Sequence, residues 1–446
     1  LLDKKYYKRA LLLAWPAVFE SFFIALAGLI DTFMISSLGP SAVAAIGLTT
    51  QPKFLALTVF FAITSAVSAL VARRQGEGNR EKANQTLVTA ILISLIFVVI
   101  TTAIMVIFAD PILRFAGSSD ETHAMAKEYF VIIMLGTVFN AIAWCINSAH
   151  RGAGNTQIAF VTNLVASIVN IIFNYLLIQG NLGFPALGTK GAAIATVLGT
   201  FVETIMCIHS LKKRSSFISI SEMKKVPMKI NKTISKEISK LGTNIFIEIM
   251  SMRIGFFITA ITAAKLGTDN FALHNVGMNL LSLSFSFGDG MSVAVITLTG
   301  NSLGAGKKDE AISYGRVCQQ IGLILSIIIS IIFFVFGKGI FSLFFSSKDL
   351  IDRSSIIIKY LGIIVLMQIL QAIHGGSLRS AGDVKYTLAV AIVSVTLIRS
   401  LVTVLTVNIL QLGLDGIWIG ILSDQTSRLI GLRYRFKKGK WVDLKI

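Results

Sequence analysis

Asp31 lies inside an apolar run of about residues 10–36, where a lone carboxylate is costly unless a partner or a task holds it there. Asn170 and Asn174 stand four residues apart in the run of about 157–179, so on a helix both side chains leave one face. If that face meets Asp31, one carboxylate and two amide carbonyls supply hard oxygens of the kind alkali and alkaline-earth cations take. Protonation of Asp31 is a second route to coupling. A plainer alternative has Asp31 hydrogen-bonded to a neighbouring helix and the two amides acting as interhelical glue.

Other polar residues in apolar runs extend the set. Glu20 precedes Asp31 by eleven residues, about three helical turns, and so shares nearly the same face. Glu248 holds the matching place in the second half of the chain. Two carboxylates facing a cleft attract a cationic substrate, so Glu20 and Glu248, with Arg253 and His374, are candidates for a substrate cleft. Arg253 and Arg399 need acids, and Glu248, Asp289 and Asp424 are the acids at hand. His274 and His374 titrate near neutral pH, although a lone histidine more often packs as a satisfied core residue. Glu203 has similar standing. The chain lacks G-x-x-x-x-G-K-[ST], which argues against transport powered by its own ATP hydrolysis. No Ser/His/Asp or metal-ligand constellation appears that would suit an enzyme.

The elements that carry these residues are membrane helices. The 446 residues are 54% hydrophobic and 14% charged, with a mean hydropathy of +0.76, far less charge than a soluble chain of this length carries. Runs long enough to cross a bilayer occur at about 10–36, 45–72, 84–109, 125–149, 157–179 and 189–211. Six more occur at about 238–264, 272–299, 312–337, 355–377, 386–411 and 413–432. The two sets repeat at an offset of 228: Gly39 and Gly267, Gly76 and Gly304, Arg151 and Arg379, Glu20 and Glu248. Internal duplication in a membrane chain marks a transporter. At that offset Asp31 meets Thr259, Asn170 meets Ile398 and Asn174 meets Val402, so the acid and both amides belong to the first half alone.

The expected organisation is a six-helix lobe over 1–211, a cytoplasmic linker over 212–237, and a second six-helix lobe with a basic tail over 238–446. The net charge of +18 sits mainly in alternate loops, which places both termini in the cytoplasm by the positive-inside rule and excludes nucleic acid as the reason for the charge. Cys145, Cys207 and Cys318 all fall in predicted helices and support neither disulfides nor a zinc site.

The order of several motifs resembles the multidrug and toxic compound extrusion (MATE) family. Trp15-Pro16-Ala17, Leu29 to Met34, Leu38-Gly39 and Ala44 to Gly47 resemble its first helix and the start of its second. Arg151 to Thr156 and Arg379 to Asp383 are similar to its loops after helices four and ten, and Asn170 to Asn174 and Gly191 to Thr196 to helices five and six. The resemblance implies an all-α, twelve-helix membrane protein whose two lobes form a V, exporting bulky, mainly cationic amphipaths by antiport against H⁺ or Na⁺. It also implies an ion or proton site at Asp31, Asn170 and Asn174, with Thr196 nearby. If the ion is Na⁺, Asp31, Asn170 and Asn174 are its ligands. Several family members carry Asp where Asn174 stands, so this site has one carboxylate fewer and Na⁺ against H⁺ stays open. The expected protein is a monomer in the cell membrane with no cofactor, whose partners are small amphipathic molecules and the bilayer. A flippase for a lipid-linked saccharide is the alternative; it gains if Arg253 and Arg399 face a cleft unpaired.

Overall fold

The computed structural model describes residues 4–213, 216–345 and 347–444. Among them, helices form the whole framework and no strand occurs. In the first half the long helices are α1 (Lys4–Ser36), α2 (Pro40–Gly76), α3 (Arg80–Ile107), α4 (Asp120–Gly152), α5 (Thr156–Ile178) and α6 (Gly188–Ser210). In the second they are α7 (Lys232–Ala264), α8 (Thr268–Gly304), α9 (Lys308–Ser342), α10 (Lys348–Ser380), α11 (Val384–Ile409) and α12 (Gly413–Lys437). Helices are the outcome because hydrocarbon offers no partner for backbone N–H and C=O, and only intrahelical bonds satisfy every group of an isolated segment.

The repeat is visible in the helix starts: 232 − 4, 268 − 40, 308 − 80, 348 − 120 and 384 − 156 all give 228. The turns repeat as well. Gly39 and Gly267 adopt φ of 99° and 92°, and Gly154 and Gly382 φ of 82° and 83°, a left-handed region that a side chain would strain. Among the described residues, eleven of the helices are long and apolar enough to cross a membrane. The twelfth, α12, is less apolar because Asp415, Asp424 and Arg428 interrupt it.

Two compact units emerge, Leu1–Val18 with Thr243–Ile446, and Phe19–Gly242. Their borders differ from those drawn on the repeat, because each half's first helix contributes its beginning to the other unit. In the first of these units Ala10 and Ala14 join the core of Leu281, Tyr314 and Trp418, Tyr6 meets Tyr314 edge-on at 4.9 Å, and Tyr7 donates to Gln320. The segment expected as a linker is strapped to the other unit. Asn84 donates to the Phe217 carbonyl at 3.0 Å and accepts from the Ser219 N–H at 3.1 Å, Gln85 donates to the Pro227 carbonyl at 3.1 Å, and Arg74 pairs with Glu237 at 3.0 Å. Asn84 and Gln85 are thereby satisfied although buried.

One irregularity separates the halves. Ile392–Arg399 and Leu405–Ile409 of α11 are π-helical, whereas α5 is α-helical throughout. A π segment fits an extra residue into a turn, so side chains beyond it shift by one position relative to the repeat.

Candidate functional site

The first half brings Asp31, Asn170, Asn174 and Thr196 together. α1 supplies Asp31 near its end, α5 supplies both amides from one face, and α6 supplies Thr196. α6 lies close to α5 because Gly199 has no side chain: a Cβ there would come 2.7 Å from the Ala166 carbonyl oxygen and 3.2 Å from Asn170. Asn174 Nδ2 donates to Asp31 Oδ1 at 2.7 Å. The hydrogen-bond network orients Asn170 with its amide nitrogen toward Asp31, at 2.7 and 3.2 Å from the two carboxylate oxygens. Its oxygen then accepts from Thr196 Oγ1 at 3.3 Å and Thr196 N at 3.2 Å. Asn170 and Asn174 are 7% and 1% exposed, and Asn174 Oδ1 is buried with no hydrogen-bond partner.

A recess of about 360 Å³ reaches this centre from the ends of α1 and α5, lined by Phe33, Ser36, Ser37, Asn174 and Gln179 among others. Gln179 donates to Ser37 Oγ at 2.9 Å beside it. Sequence reasoning missed Lys53 of α2, which stands within electrostatic range of Asp31. The signal was available, since Lys53 follows Pro52 in an otherwise apolar run. Tyr129, 6% exposed, is also within range of the Asp31 charge.

The same place in the second half holds different chemistry. Thr259 of α7 stands where Asp31 stands, and Arg399 Nε donates to Thr259 Oγ1 at 3.0 Å. The π segment puts Arg399, rather than Ile398, opposite Asn170 (399 − 170 = 229), a register that counting at 228 could not find. Arg399 is 2% exposed, lies over the Phe256 ring at 4.6 Å, and reaches Asp424 Oδ2 at 3.3 Å. Arg428 binds the other Asp424 oxygen at 2.8 Å. A guanidinium therefore fills the volume that the first half leaves to two amides.

The remaining candidates lie elsewhere. Glu20, 4% exposed, accepts from Arg151 at 2.7 Å and Asn163 at 2.9 Å. Glu248, also 4% exposed, accepts from Arg379 at 2.5 Å and from Thr387 at 2.9 Å. Of the acids named for Arg253 and Arg399, Glu248 is engaged by Arg379, Asp289 is within electrostatic range of that same arginine, and Asp424 is held by Arg399 and Arg428. Arg253 itself lies over the Phe256 ring at 5.8 Å. His374 packs edge-on against Phe436 and its Nδ1 meets the Leu370 carbonyl at 2.7 Å, while His274 packs on Trp418; both are 3% exposed. Among the described residues, no three His, Cys, Asp or Glu side chains gather as a metal site. A cation at Asp31 would thus be held by one carboxylate and neutral oxygens, and the unpartnered Asn174 oxygen fits that task.

The sequence profile of the MatE family matches residues 16–176 and 245–405, one match in each half. A probable multidrug resistance protein NorM of Thermotoga maritima is 28% identical over 434 residues, 97% of this chain and 93% of that protein. The uncharacterized transporter YisQ of Bacillus subtilis is 25% identical, covering 96% of this chain and 94% of its own. A crystal structure of MATE in complex with MaL6 aligns with a TM-score of 0.89 at 23% identity, covering 98% of this chain and 97% of that one. An outward-facing multidrug resistance MATE family transporter aligns at 0.88, also at 23% identity, and the likeness to both structures is one of fold.

Proposed function

The chain belongs to the MatE family, the MATE multidrug efflux transporters, and on that premise we propose that it is a cation-coupled antiporter exporting bulky, mainly cationic amphipaths by alternating access. The family and its named relatives are transporters, not enzymes, and this chain is a multi-pass membrane protein of the same kind. Asp31 is the coupling residue of the proposal, and Na⁺ or H⁺ is the ion.

The observation that carries the reading is the convergence of Asp31, Asn170, Asn174 and Thr196 beside a recess, with one buried amide oxygen left without a donor. Both amides present N–H to the carboxylate and spread its charge. When a cation enters, each amide turns its oxygen inward, and Thr196 exchanges one amide group for the other. When a proton enters instead, Asp31 becomes a donor and the Asn174 oxygen is the acceptor it lacks. In either case Asp31 becomes neutral, which also frees Lys53 from its attraction.

Glu20, Glu248, Arg253 and His374 enter this reading as supports of helix packing rather than as substrate ligands, given that both glutamates are engaged by arginines of their own half. The saccharide flippase gains nothing from Arg399, which is buried and paired with Asp424. The deciding experiment is substrate efflux from proteoliposomes under separate Na⁺ and pH gradients, for the native chain and for Asp31→Asn. Undiminished gradient-driven efflux by the variant would sink the assignment.

A further inference from the structure

Glu203 of α6 takes no part in the site above. It is 2% exposed and accepts from Asn147 Nδ2 at 2.9 Å. Asn147 is itself fixed, its amide nitrogen 3.1 Å from Thr162 Oγ1 and its oxygen accepting from Cys207 Sγ at 3.3 Å. One helical turn further along α4, Arg151 holds Glu20. The two carboxylates are thus anchored to neighbouring turns of one helix, about 6 Å of rise apart, and feel each other's charge.

Arg151 is the guanidinium that faces this pair, so two acids share one cation. Among the described residues the Cys207 thiol on α6 is also within range of the pair, and His150, next to Arg151 on α4, has its Nε2 2.9 Å from the Ser210 hydroxyl. Asn163 of α5 is a neutral donor to Glu20 at 2.9 Å. Arg151 and Asn163 both bind Oε1 of Glu20, and its Oε2 is buried with no partner at all. A buried carboxylate oxygen without a donor is an expensive arrangement that one proton relieves.

The second half supplies an internal control. Glu248 has Arg379 on one oxygen and Thr387 on the other, so neither is left over. A second acid, Asp289, is within electrostatic range of Arg379, so this half too sets two acids by one arginine, but it leaves no oxygen of its glutamate orphaned. Aligning α6 with α12 on their opening glycines, Gly188 and Gly413, puts Arg428 where Glu203 stands (428 − 203 = 225 = 413 − 188).

We propose that Glu20 and Glu203 form a second proton-binding centre in the first half, holding one proton between two buried carboxylates. It lies on α1 about 16 Å from Asp31, at the end of α4 that leads into the Arg151 loop. The proton neutralises the charge that Arg151 leaves uncompensated and lets α1, α4 and α6 pack together. Its loss sets two carboxylates against each other and pushes α6 away from α1. The centre stands on the charges and orphaned oxygen of this cluster and does not require Asp31 to be the coupling residue.

Infrared difference spectra of the purified full chain in lipid nanodiscs, recorded during a pH titration, test this. The native protein should show a titrating protonated-carboxyl band that persists in Asp31→Asn and disappears in Glu203→Gln. Glu203→Gln should also take up about one proton fewer per chain on acidification. Asn147→Ala keeps both acids but removes the donor to Glu203, so it should move the band and its midpoint without deleting it. Titrations that coincide for the native chain, Glu203→Gln and Asn147→Ala would overturn the proposal. Disappearance of the band in Asp31→Asn would overturn it too, by assigning the proton to the other site.

Discussion

The Asp31 centre of the first half and the Arg399 centre of the second occupy one place in a duplicated fold and solve opposite electrostatic problems. In the first, α1 and α5 hold an acid against two amides that both donate to it. In the second, α7 and α11 hold a threonine against an arginine whose charge is tethered to the chain and answered by Asp424. A site built to exchange a cation needs a negative group with neutral, rotatable neighbours. A site that already contains its cation exchanges nothing, and its charges serve packing. Duplication supplied the scaffold twice, and a handful of substitutions set an acid among amides in one copy and an acid-paired arginine in the other.

The contrast is most exposed to transport measurements. Asp31→Asn should reduce gradient-driven efflux in proteoliposomes by about 100-fold or more, the scale expected when about 3 kcal/mol of coupling is removed. Thr259→Ala, at the matching place, should change the same rate by no more than about threefold, since the two hydrogen bonds it loses, from Arg399 Nε and to the Gly255 carbonyl, belong to a centre whose cation is already tethered to the chain. Equal effects of the two substitutions would end the distinction between the halves.

Stability tests the Arg399 centre. Asp424→Asn strips the acid from between Arg399 and Arg428 and leaves two buried guanidiniums facing each other. It should destabilise the protein by about 3–5 kcal/mol, read as a fall in the thermal unfolding midpoint in detergent. A loss below about 1 kcal/mol would mean that Asp424 is not what holds Arg399 in place.

Asn174→Asp adds a second carboxylate to the Asp31 centre. It should tighten Na⁺ binding by about tenfold, because ligand charge sets affinity at hard-oxygen sites, measured as Na⁺-dependent efflux or calorimetric titration. Unchanged Na⁺ dependence would indicate that Asn174 orients Asp31 without ligating the ion. The smallest effect belongs to Ser37→Ala at the recess, where two exposed hydrogen bonds, from Gln179 and to the Met34 carbonyl, are lost; stability should move by about 0.5 kcal/mol or less.

Much of this was legible in the residues themselves. The apolar runs and the 228-residue repeat predict helices whose starts repeat at that spacing, and Asn170 and Asn174 are on one helical face by spacing alone. Lys53 was legible in principle, as a charge in an apolar run, yet its link to Asp31 joins α2 to α1 through space. The pairing of Arg399 was half readable: Asp424 was among the acids at hand, but the equivalence with Asn170 depends on a π segment that repeat counting treats as ordinary helix. The strapping of residues 216–237 onto α3 was hidden as well, since polar, lysine-rich composition reads as a tether whether or not Asn84 and Gln85 bind its carbonyls.

The sequence by itself determined what is set by local chemistry: which segments are helical, where the duplicated turns fall, and which half owns the carboxylate and the amides. Tertiary structure decided which polar groups meet. That step depends on helix register and on close approach at residues such as Gly199, where the absence of one methyl group brings Asn170 toward Thr196. Such contacts join residues far apart in the chain, and a buried polar group's role is fixed by whichever partner completes its hydrogen bonds.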